Sequence, residues 1–347
     1  GAGIFGITAA IELRTRGYVV TLIDPGPIPA PTAASTDISK VIRMEYGADQ
    51  DYMSLMETAR IGWIDWNERW QADGIGPLYH ETGVLMITRD RMAPGGFEHD
   101  SYRLLTSRGH KPQRLDEVTI SQNFPAWSTG TFVDGFFHRK GGYAESGKVI
   151  TALLKQGRAI GITIQEGHRV SKLLETAGKI CGVSTDHGQS LEADAVVMAV
   201  GAWIGNSDLS LTTFIQATGH PVFHLRPLNP TLFEAKRFPT FTADVSRTGY
   251  YGFPVNFAGI VKIASHGIGI PTDPDAGRRV HPTSEKSLYQ FLAETIPALA
   301  DAPIVFTRLC HYADTQDGNF WIANDPDRPG LTIAGGGSGH GFKFAPI

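Results

Sequence analysis

The chain has 347 residues, 41% of them apolar and 19% charged, a balance typical of folded globular proteins rather than disordered ones. Its net charge of -4, without Lys/Arg runs, argues against nucleic-acid binding. No apolar stretch is long enough to span a bilayer, and two cysteines are too few for a disulfide framework. We therefore expect a monomer or weak oligomer without nucleic-acid or membrane partners, cytoplasmic, or peroxisomal if the source is eukaryotic.

The chain opens on a glycine-rich loop that leads into a helix and then a strand. Gly1, Gly3 and Gly6 have the Gly-x-Gly-x-x-Gly spacing of a dinucleotide-binding turn, and "IFGITAAIELRTRG" has helical periodicity. The strand "YVVTLID" ends at Asp24, near the ~20-residue spacing of a ribose-binding carboxylate. Bare amides at a helix N-terminus suit a pyrophosphate, although another α/β protein could enter a helix through the same pattern. We also expect a strand before Gly1 and a helix after Ile347.

The remaining elements are predicted in chain order. After a proline-rich loop, "DQDYMSLMETARIGWIDWNERW" predicts a long helix and "TGVLMIT" a strand, whereas residues 89–125 show no clear period. A helix in "SGKVITALLKQGRAIG" is followed by a β-meander and by a buried strand in "LEADAVVMAVGAW". Residues 213–307 are rich in strands, with one helix at "SEKSLYQFLAETI", and "LTIAGGGSGHG" is a strand that enters a second glycine loop.

Nucleotide-binding segments thus alternate along the chain with a sheet-rich region. This order predicts an α/β protein of two discontinuous domains. The nucleotide-binding domain would comprise residues 1–77, 141–212 and 306–347, and the substrate domain residues 78–140 and 213–305.

Several stretches resemble the FAD-dependent amine oxidases related to monomeric sarcosine oxidase, a group that includes N-methyltryptophan, pipecolate and fructosyl amino acid oxidases. The matching stretches, spread over nearly the whole chain, are "GAGIFG", "DISKVIRMEYG", "ADAVVMAVGAW", "YYGFP", "VKIASHG", "CHYADTQDGNF" and "GGGSGHGFKF". The resemblance implies a glutathione-reductase-type, Rossmann FAD-binding domain beside a mostly antiparallel substrate domain. It also implies FAD as cofactor, a small amine and O2 as reaction partners, and no metal.

The resemblance assigns a flavin attachment point and a set of cofactor contacts. In this family a cysteine before a Tyr-x-x-Thr-x-Asp pattern forms a thioether with the flavin ring, and Cys310 has this setting in "CHYADTQD". By itself, a lone thiol is more often a buried structural residue. Side chains at the second glycine loop are expected to collide with the ring. The other implied FAD contacts are Gly1, Gly3, Phe5, Gly6, Asp24, Ser39, Lys40, Val170, Gly201, Trp203, Gly336, Gly337, Gly339, His340, Gly341 and Lys343.

Three residues are implied to take part in the chemistry. Lys262 stands in the apolar strand "GIVKIASHG", where a lysine is costly unless a negative partner or a task retains it, or unless it extends to the strand edge. In the family this lysine promotes the reaction with oxygen, because a fixed cation stabilises a developing superoxide. His266 matches an active-site histidine, although a hydrogen-bonded surface histidine fits the same position. Lys40 stands where sarcosine oxidase has arginine and fructosyl amino acid oxidases have lysine.

The substrate contacts implied by the resemblance are two cations and two aromatic residues. Arg43 and Lys343 match the pair that holds the substrate carboxylate, for which arginine offers a planar fork. Alone, Arg43 could equally form a surface ion pair with Glu45 or Asp37. Tyrosines at two further positions match the walls of the substrate site, or are plain core residues; they are Tyr251 and Tyr312.

These expectations combine into an FAD-dependent oxidase of secondary amines that carry a carboxylate. The product would be an imine that hydrolyses, with reduction of O2 to H2O2, and the lysine at position 40 favours substrates other than sarcosine. The alternatives are a dehydrogenase of the same fold that passes electrons to a quinone or protein, a non-catalytic FAD-binding protein, and an NAD-dependent enzyme. The last leaves the second glycine loop and the cysteine without a role.

Overall fold

The structure, a computed structural model, describes residues 1–206 and 211–347. Its α-helices are α1 (Ile4–Thr15), α2 (Gln50–Ala72), α3 (Phe97–Ser107), α4 (Glu117–Asn123), α5 (Ser146–Ala159), α6 (Val245–Thr248) and α7 (Pro282–Thr295). Its strands are β1 (Thr21–Asp24), β2 (Lys40–Ile42), β3 (Tyr79–His80), β4 (Val84–Thr88), β5 (Gln113–Asp116), β6 (Asp134–His138), β7 (Gly142–Ala144), β8 (Thr163–Glu166), β9 (Val170–Thr176), β10 (Lys179–Thr185), β11 (Ser190–Glu192), β12 (Val196–Met198), β13 (Ile215–Leu225), β14 (Thr240–Ala243), β15 (Tyr250–Gly252), β16 (Val261–Ser265), β17 (Ile270–Pro271), β18 (Ile304–Thr315), β19 (Trp321–Asn324) and β20 (Leu331–Gly335).

The opening loop, helix and strand form as the sequence predicts. Helix α1 begins directly after Gly3, and the chain leaves it through Gly17, whose φ of 94° an L side chain rarely adopts. Strand β1 then pairs in parallel with β8, and β12 pairs in parallel with β20. Parallel pairs joined through helices are the α/β arrangement that the alternation of segments predicted.

One predicted strand is shorter and more accessible than expected. The stretch "LEADAVVMAVGAW" was expected to be a buried strand, but β12 spans only three residues, one exposed and two partly buried. The chain then turns into a 3₁₀ helix at Gly201, where φ is 56°. The apolar composition predicted a buried strand. In the structure β12 pairs with β20, and its C-terminal end lines the cavity, which leaves its side chains partly accessible.

A large sheet carries most of the strands of the second half of the chain. Strand β13 pairs antiparallel with β16, β17 and β18, and the sheet continues from β16 through β15, β14, β4, β6 and β5. All of its pairings are antiparallel except that of β14 with β4. Strand β10 forms the predicted meander with β9 and β11.

The two faces of this sheet differ in chemistry, because successive side chains of a strand point to opposite sides. On one face Phe223 and Ile263 join an apolar core with Leu288 of α7. On the other face Val222 and Ala264 pack with a cluster that contains the residues of interest, Cys310 and Tyr312. By the same alternation, the even-numbered residues of β13 and β16 share this second face with those of β18 from Phe306 onward, whereas Ile304, before a register shift, packs on the apolar core.

The stretch at residues 89–125, where the sequence gave no clear period, contains α3, β5 and α4.

The α/β fold is confirmed, whereas the division into two discontinuous domains stays a prediction. One of its ranges, 141–212, includes residues 207–210, which lie outside the described residues. Within the described ranges, no helix is both long and apolar enough to cross a membrane.

Candidate active site

A cavity of about 720 Å³ lies between the two glycine loops, within the size range of cofactor sites. The cavity is lined by the C-terminal ends of strands β1, β12 and β20 and by the start of α1. The predicted cofactor and substrate residues that line it are Gly1, Gly3, Phe5, Asp24, Lys40, Val170, Gly201, Trp203, Tyr312, Gly336, Gly337, Gly339 and Gly341. The predicted residues outside this lining are Gly6, Ser39, Arg43, Tyr251, Lys262, His266, Cys310, His340 and Lys343.

The glycines of both loops are required by contacts within the protein. A Cβ at Gly6 would lie 1.8 Å from the carbonyl oxygen of Gly1, so α1 could not approach the loop. A Cβ at Gly339 would lie 2.4 Å from the ring of Tyr312, and its φ of 71° also favours glycine. Packing within the protein is thus one reason for glycine in both loops, and the expected collision of side chains in the second loop with a bound ring stays a prediction.

Asp24 lines the cavity, and its carboxylate is held by backbone amides. Its Oδ2 accepts the N–H of Ala2 at 2.8 Å, and its Oδ1 accepts the N–H of Gly26 at 3.1 Å. A carboxylate oxygen has two lone pairs, so each can accept a further bond from a hydroxyl in the cavity. At the start of α1, the N–H of Ile4 donates to the Ser35 hydroxyl, which also lines the cavity.

Cys310 is fully buried and lies behind the cavity wall. Its Sγ lies 4.0 Å from Nζ of Lys40, which does line the cavity, and 3.9 Å from Nη2 of Arg308. The lysine side chain therefore contacts both the thiol and the cavity. Covalent attachment of a flavin to this sulfur stays a prediction.

Lys343 is buried beyond the second glycine loop, and helix α2 fixes its backbone. Its carbonyl accepts the indole N–H of Trp63 at 2.8 Å, and its Nζ donates to the Tyr46 hydroxyl at 2.9 Å. Burial and the neighbouring Arg43 hold the pKa of Lys343 well below its usual value, against a weaker opposing effect of Glu45.

His340, predicted to contact the cofactor, directs both ring nitrogens to protein groups. Its Nε2 lies 2.8 Å from the carbonyl of Gly318, which only accepts, so this nitrogen carries the proton. Its Nδ1 then accepts the Tyr46 hydroxyl at 2.9 Å, and burial, reinforced by Lys343, lowers its pKa to about 3. The hydrogen bonds thus run from Lys343 through the Tyr46 hydroxyl to His340. The histidine therefore orients the hydroxyl that binds the lysine.

Arg43 is a second cation with spare hydrogen-bonding capacity. Its guanidinium lies over the rings of Tyr46 and Phe97, at 5.2 and 5.5 Å from their centroids. Its Nη1 is buried and has no hydrogen-bond partner. Glu45, two residues further on, was considered as its ion-pair partner, but this carboxylate accepts a bond from His138 at 2.8 Å. The site thus holds a buried lysine and a half-buried arginine, and among the described residues neither forms an ion pair with a carboxylate.

Further predicted residues lie on or beside the second face of the large sheet, the face that carries Cys310 and Tyr312. The hydroxyls of Tyr251 and Tyr312 interact, and burial raises both pKa values. Burial, with His220 as the next contribution, lowers the pKa of His266 to about 4, so its ring is neutral at pH 7. Lys262 is fully buried and forms an ion pair at 2.6 Å with Asp37. It does not extend to the strand edge.

Sequence reasoning missed several polar residues on this face. His220 stacks on Tyr312 with ring centroids 4.0 Å apart, and His224 lies opposite Lys262 in the strand register. The signal was present in "GHPVFHL", where two histidines alternate with apolar residues along one strand. Their partners could not be read from the pattern, because Asp37 is 187 positions away from His224.

Comparison with known proteins places these features in a family. The family model described as FAD dependent oxidoreductase (DAO) matches residues 1–347, the whole chain. The chain belongs to this family. This FAD-dependent oxidoreductase is 26% identical to L-saccharopine oxidase of Schizosaccharomyces pombe, over 100% of this chain and 86% of the relative. It is also 26% identical to monomeric sarcosine oxidase of a Bacillus species, over 99% and 87% of the two chains.

The fold of the oxidoreductase matches a solved enzyme of the same kind. Fructosamine oxidase (Amadoriase II) of Aspergillus fumigatus, a deglycating enzyme, superposes with a TM-score of 0.84 at 25% identity. The match covers 100% of this chain and 82% of that one. The resemblance to sarcosine and fructosyl amino acid oxidases is thereby confirmed, and FAD dependence with it.

The residues of the oxidoreductase fit the cofactor of its family. The cavity is lined by both a glycine-rich helix start and a second glycine loop, the setting in which dinucleotides bind. Asp24 has free acceptor capacity for ribose hydroxyls, and Gly1, Gly3 and the glycines of the second loop also line the cavity. Each individual contact with FAD stays a prediction.

Proposed function

We propose that this oxidoreductase oxidises secondary amines that carry a carboxylate, with O2 as electron acceptor. The proposal rests mainly on buried Lys343 and half-buried Arg43, to which no carboxylate of the described residues is bonded. A substrate carboxylate supplies the missing negative charge, and the planar guanidinium can bind both of its oxygens. The relatives named for saccharopine, sarcosine and fructosamine agree with this substrate class.

The remaining residues have roles that follow from their positions. The carboxylate bound by Arg43 and Lys343 fixes the substrate, and the Tyr251–Tyr312 pair limits the space around its amine. Neutral His266 adds no positive charge that would repel a bound amine. The flavin, when bound, accepts the two electrons of amine oxidation, and Lys262 favours their transfer to O2 by stabilising the developing anion. The oxidised substrate, an imine, is then hydrolysed by water.

The substrate is sought among three chemical groups: N-methyl amino acids, cyclic imino acids, and amino acids linked through nitrogen to a sugar. Lys40 at the cavity wall favours the last group over sarcosine, in line with the fructosamine oxidase fold match. Purified protein is mixed with each compound without oxygen, and bleaching of the flavin absorbance is followed. Air is then admitted and H2O2 is measured.

Each outcome of this experiment has a defined meaning. Bleaching followed by fast recovery with one H2O2 per turnover supports the oxidase. Bleaching that recovers only with a quinone dye identifies a dehydrogenase and contradicts the proposal, as does the absence of bleaching with every carboxylate-bearing amine. Mass measurement after denaturation tests the thioether, which adds the mass of one FAD and is lost in Cys310→Ser.

A further inference from the structure

Behind the cavity, Lys262 and Asp37 form an ion pair that is removed from solvent. Each side chain is 1% exposed, and Nζ lies 2.6 Å from Oδ2 of the carboxylate. Nζ also donates to the carbonyl of Ser39 at 2.6 Å and lies 4.9 Å from the ring centroid of Phe253.

The fold fixes Asp37 independently of the lysine. Its carbonyl accepts the N–H of Gly147 at 3.0 Å and the hydroxyl of Ser146 at 2.9 Å, both at the start of α5. The preceding carbonyl, of Thr36, accepts from the guanidinium of Arg308. The segment that carries the Asp37 carboxylate is therefore held by hydrogen bonds to two successive carbonyls, from α5 and from Arg308.

His224 bonds the other oxygen of the same carboxylate. It lies directly opposite Lys262 on the neighbouring strand, and its Nε2 is 3.1 Å from Oδ1 of Asp37. A carboxylate only accepts, so this nitrogen carries the proton. The imidazole packs against Phe306, which is 50% exposed, with centroids 5.0 Å apart. Oδ1 also accepts the N–H of Ile38 at 2.7 Å, so Oδ2 faces the ammonium while Oδ1 binds both the histidine and a backbone amide.

We propose that Asp37 is the internal counter-ion that keeps Lys262 an ammonium ion in place, and that His224 is a positioning residue that holds Asp37. The importance of that charge for the oxygen reaction rests on the proposed function. A lysine buried this deeply is forced toward the neutral form unless an opposite charge compensates for lost hydration. A neutral amine does not stabilise a developing superoxide, so the carboxylate decides whether the lysine can act.

The electrostatics around the lysine support this assignment. Burial lowers the pKa of Lys262 to about 8, Asp37 acts against burial, and Lys40 lowers the value further. Cys310 is the remaining titratable group that acts on it. Burial works to raise the pKa of Asp37, but Lys262, His224 and Lys40 together hold it well below its usual value. The pair therefore carries opposite charges at neutral pH.

The test measures the titration of the Lys262 side chain by NMR in the purified holoenzyme labelled with ¹³C-lysine. The signal is assigned from its absence in Lys262→Met. In Asp37→Asn we expect the titration midpoint to fall by roughly 1–3 pH units, the effect of a lost neighbouring charge. His224→Phe should lower it less, and His224→Gln, which keeps an N–H donor, should restore it. A midpoint unchanged in Asp37→Asn overturns the counter-ion assignment.

The rate at which the reduced enzyme reacts with O2 provides the second test of the assignment. At pH 8 the reduced Asp37→Asn enzyme should react with O2 roughly tenfold more slowly, and the rate should recover as the pH is lowered through the new midpoint. A merely structural loss would not recover on acidification. If the midpoint falls but neither Asp37→Asn nor Lys262→Met slows the O2 reaction, the counter-ion assignment stands and the proposed role of Lys262 in the oxygen reaction fails.

Asp134→Asn is the matched control. Asp134 is a buried carboxylate on β6 that is paired with Arg114, so its loss also removes a buried negative charge, although the arginine is 41% exposed. We expect it to lower stability while the Lys262 midpoint stays at the wild-type value. An equal shift in this control would mean that general loosening moves the lysine, which overturns the proposal. Should Asp37→Asn not fold, the His224→Phe and His224→Gln pair decides, and equal midpoints in the two reject the positioning role.

Discussion

The two buried lysines of the site, Lys262 and Lys343, have opposite electrostatic settings. Lys262 has a carboxylate of its own at 2.6 Å, supplied by Asp37. Lys343 is equally buried, but its Nζ bonds a tyrosine hydroxyl, and its neighbour Arg43 adds a like charge. A buried cation with an internal partner keeps its charge whatever the ligand, whereas a pair of unneutralised cations gains stability when an anion binds.

The difference separates a permanent charge from a binding site. The Asp37–Lys262 pair is suited to act on a neutral molecule such as O2, because it needs no ligand charge. Arg43 and Lys343 are suited to an anionic group of the substrate. Because both lysines are conspicuous in the sequence, only their partners distinguish the two roles. Substitutions that affect one role and spare the other test this comparison directly.

The largest expected effect is that of Lys262→Met on the oxygen reaction. Removal of a charge that stabilises a developing anion commonly costs 10²–10³-fold in rate, and we expect the rate of reoxidation to fall by roughly that factor. Reduction of the flavin by substrate without oxygen should change by only a few-fold. Stopped-flow absorbance measures both steps. Equal slowing of the two would contradict the separation of roles.

Lys343→Met should have the opposite pattern. Loss of one member of a buried charge cluster that binds a carboxylate commonly costs about 2–5 kcal/mol, so Kd for benzoate should rise roughly 30-fold or more. The reoxidation rate should stay near that of the wild type. Flavin difference spectra during benzoate titration give Kd. An unchanged Kd would remove the main support for the carboxylate site.

The pH dependence of benzoate binding sharpens the same contrast. Free Lys343 has a pKa held well below its usual value by burial and Arg43, and a bound carboxylate raises it. Binding then takes up a proton between the two pKa values, so affinity should fall as pH rises, by up to about tenfold per pH unit. Lys343→Met should abolish this slope. A slope that persists in the variant would assign the proton to another group.

Tyr46→Phe should have a smaller effect, confined to the second lysine. It removes the hydroxyl between Lys343 and His340, and an unsatisfied buried donor costs about 1–3 kcal/mol of stability. Benzoate binding should weaken several-fold. Tyr52→Phe is the matched control, because this ring stacks on Tyr46 at 5.0 Å but its hydroxyl accepts from Phe320. Denaturant unfolding and benzoate titration compare the two.

The smallest expected effect is acid destabilisation through two histidines. The pKa of His266 is lowered to about 4 and that of His340 to about 3, in both cases chiefly by burial. Below pH 6.5 their imidazoles bind protons in the unfolded chain but not in the native one. Stability should therefore fall with pH, by up to about 1.4 kcal/mol per pH unit for each residue. Urea unfolding at pH 5 to 7 should show a shallower slope in His340→Gln.

The sequence predicted the elements and the charged residues better than it predicted their partners. A lysine inside an apolar strand is conspicuous, so Lys262 could be recognised as exceptional from local pattern and family resemblance. Asp37 lay in plain view in "DISKVIRMEYG", but its pairing with Lys262 depends on how a loop and a distant sheet meet. Periodicity carries no information on such contacts.

The same limit applies to the expected contacts of individual residues. His340 sits in a glycine loop that faces the cavity, and the hydrogen bonds of both its ring nitrogens to Tyr46 and Gly318 could not be read from the motif. Cys310 was recognised from its motif, but only the structure shows that Lys40 lies 4.0 Å from its sulfur. Side-chain direction and depth are set by packing partners, which a motif does not name.

The alternation of side chains along β13, β16 and β18 has a consequence for how this protein can change. Deletion of a single residue within β18 would turn Cys310 and Tyr312 to the opposite face of the sheet and bring Leu309 and His311 to the face that carries His220. A deletion scan through this strand should therefore abolish folding or flavin binding at nearly every position. Pairs of compensating insertions and deletions, which restore the parity, should be tolerated far better. We therefore expect these strands to tolerate changes of residue identity better than changes of length.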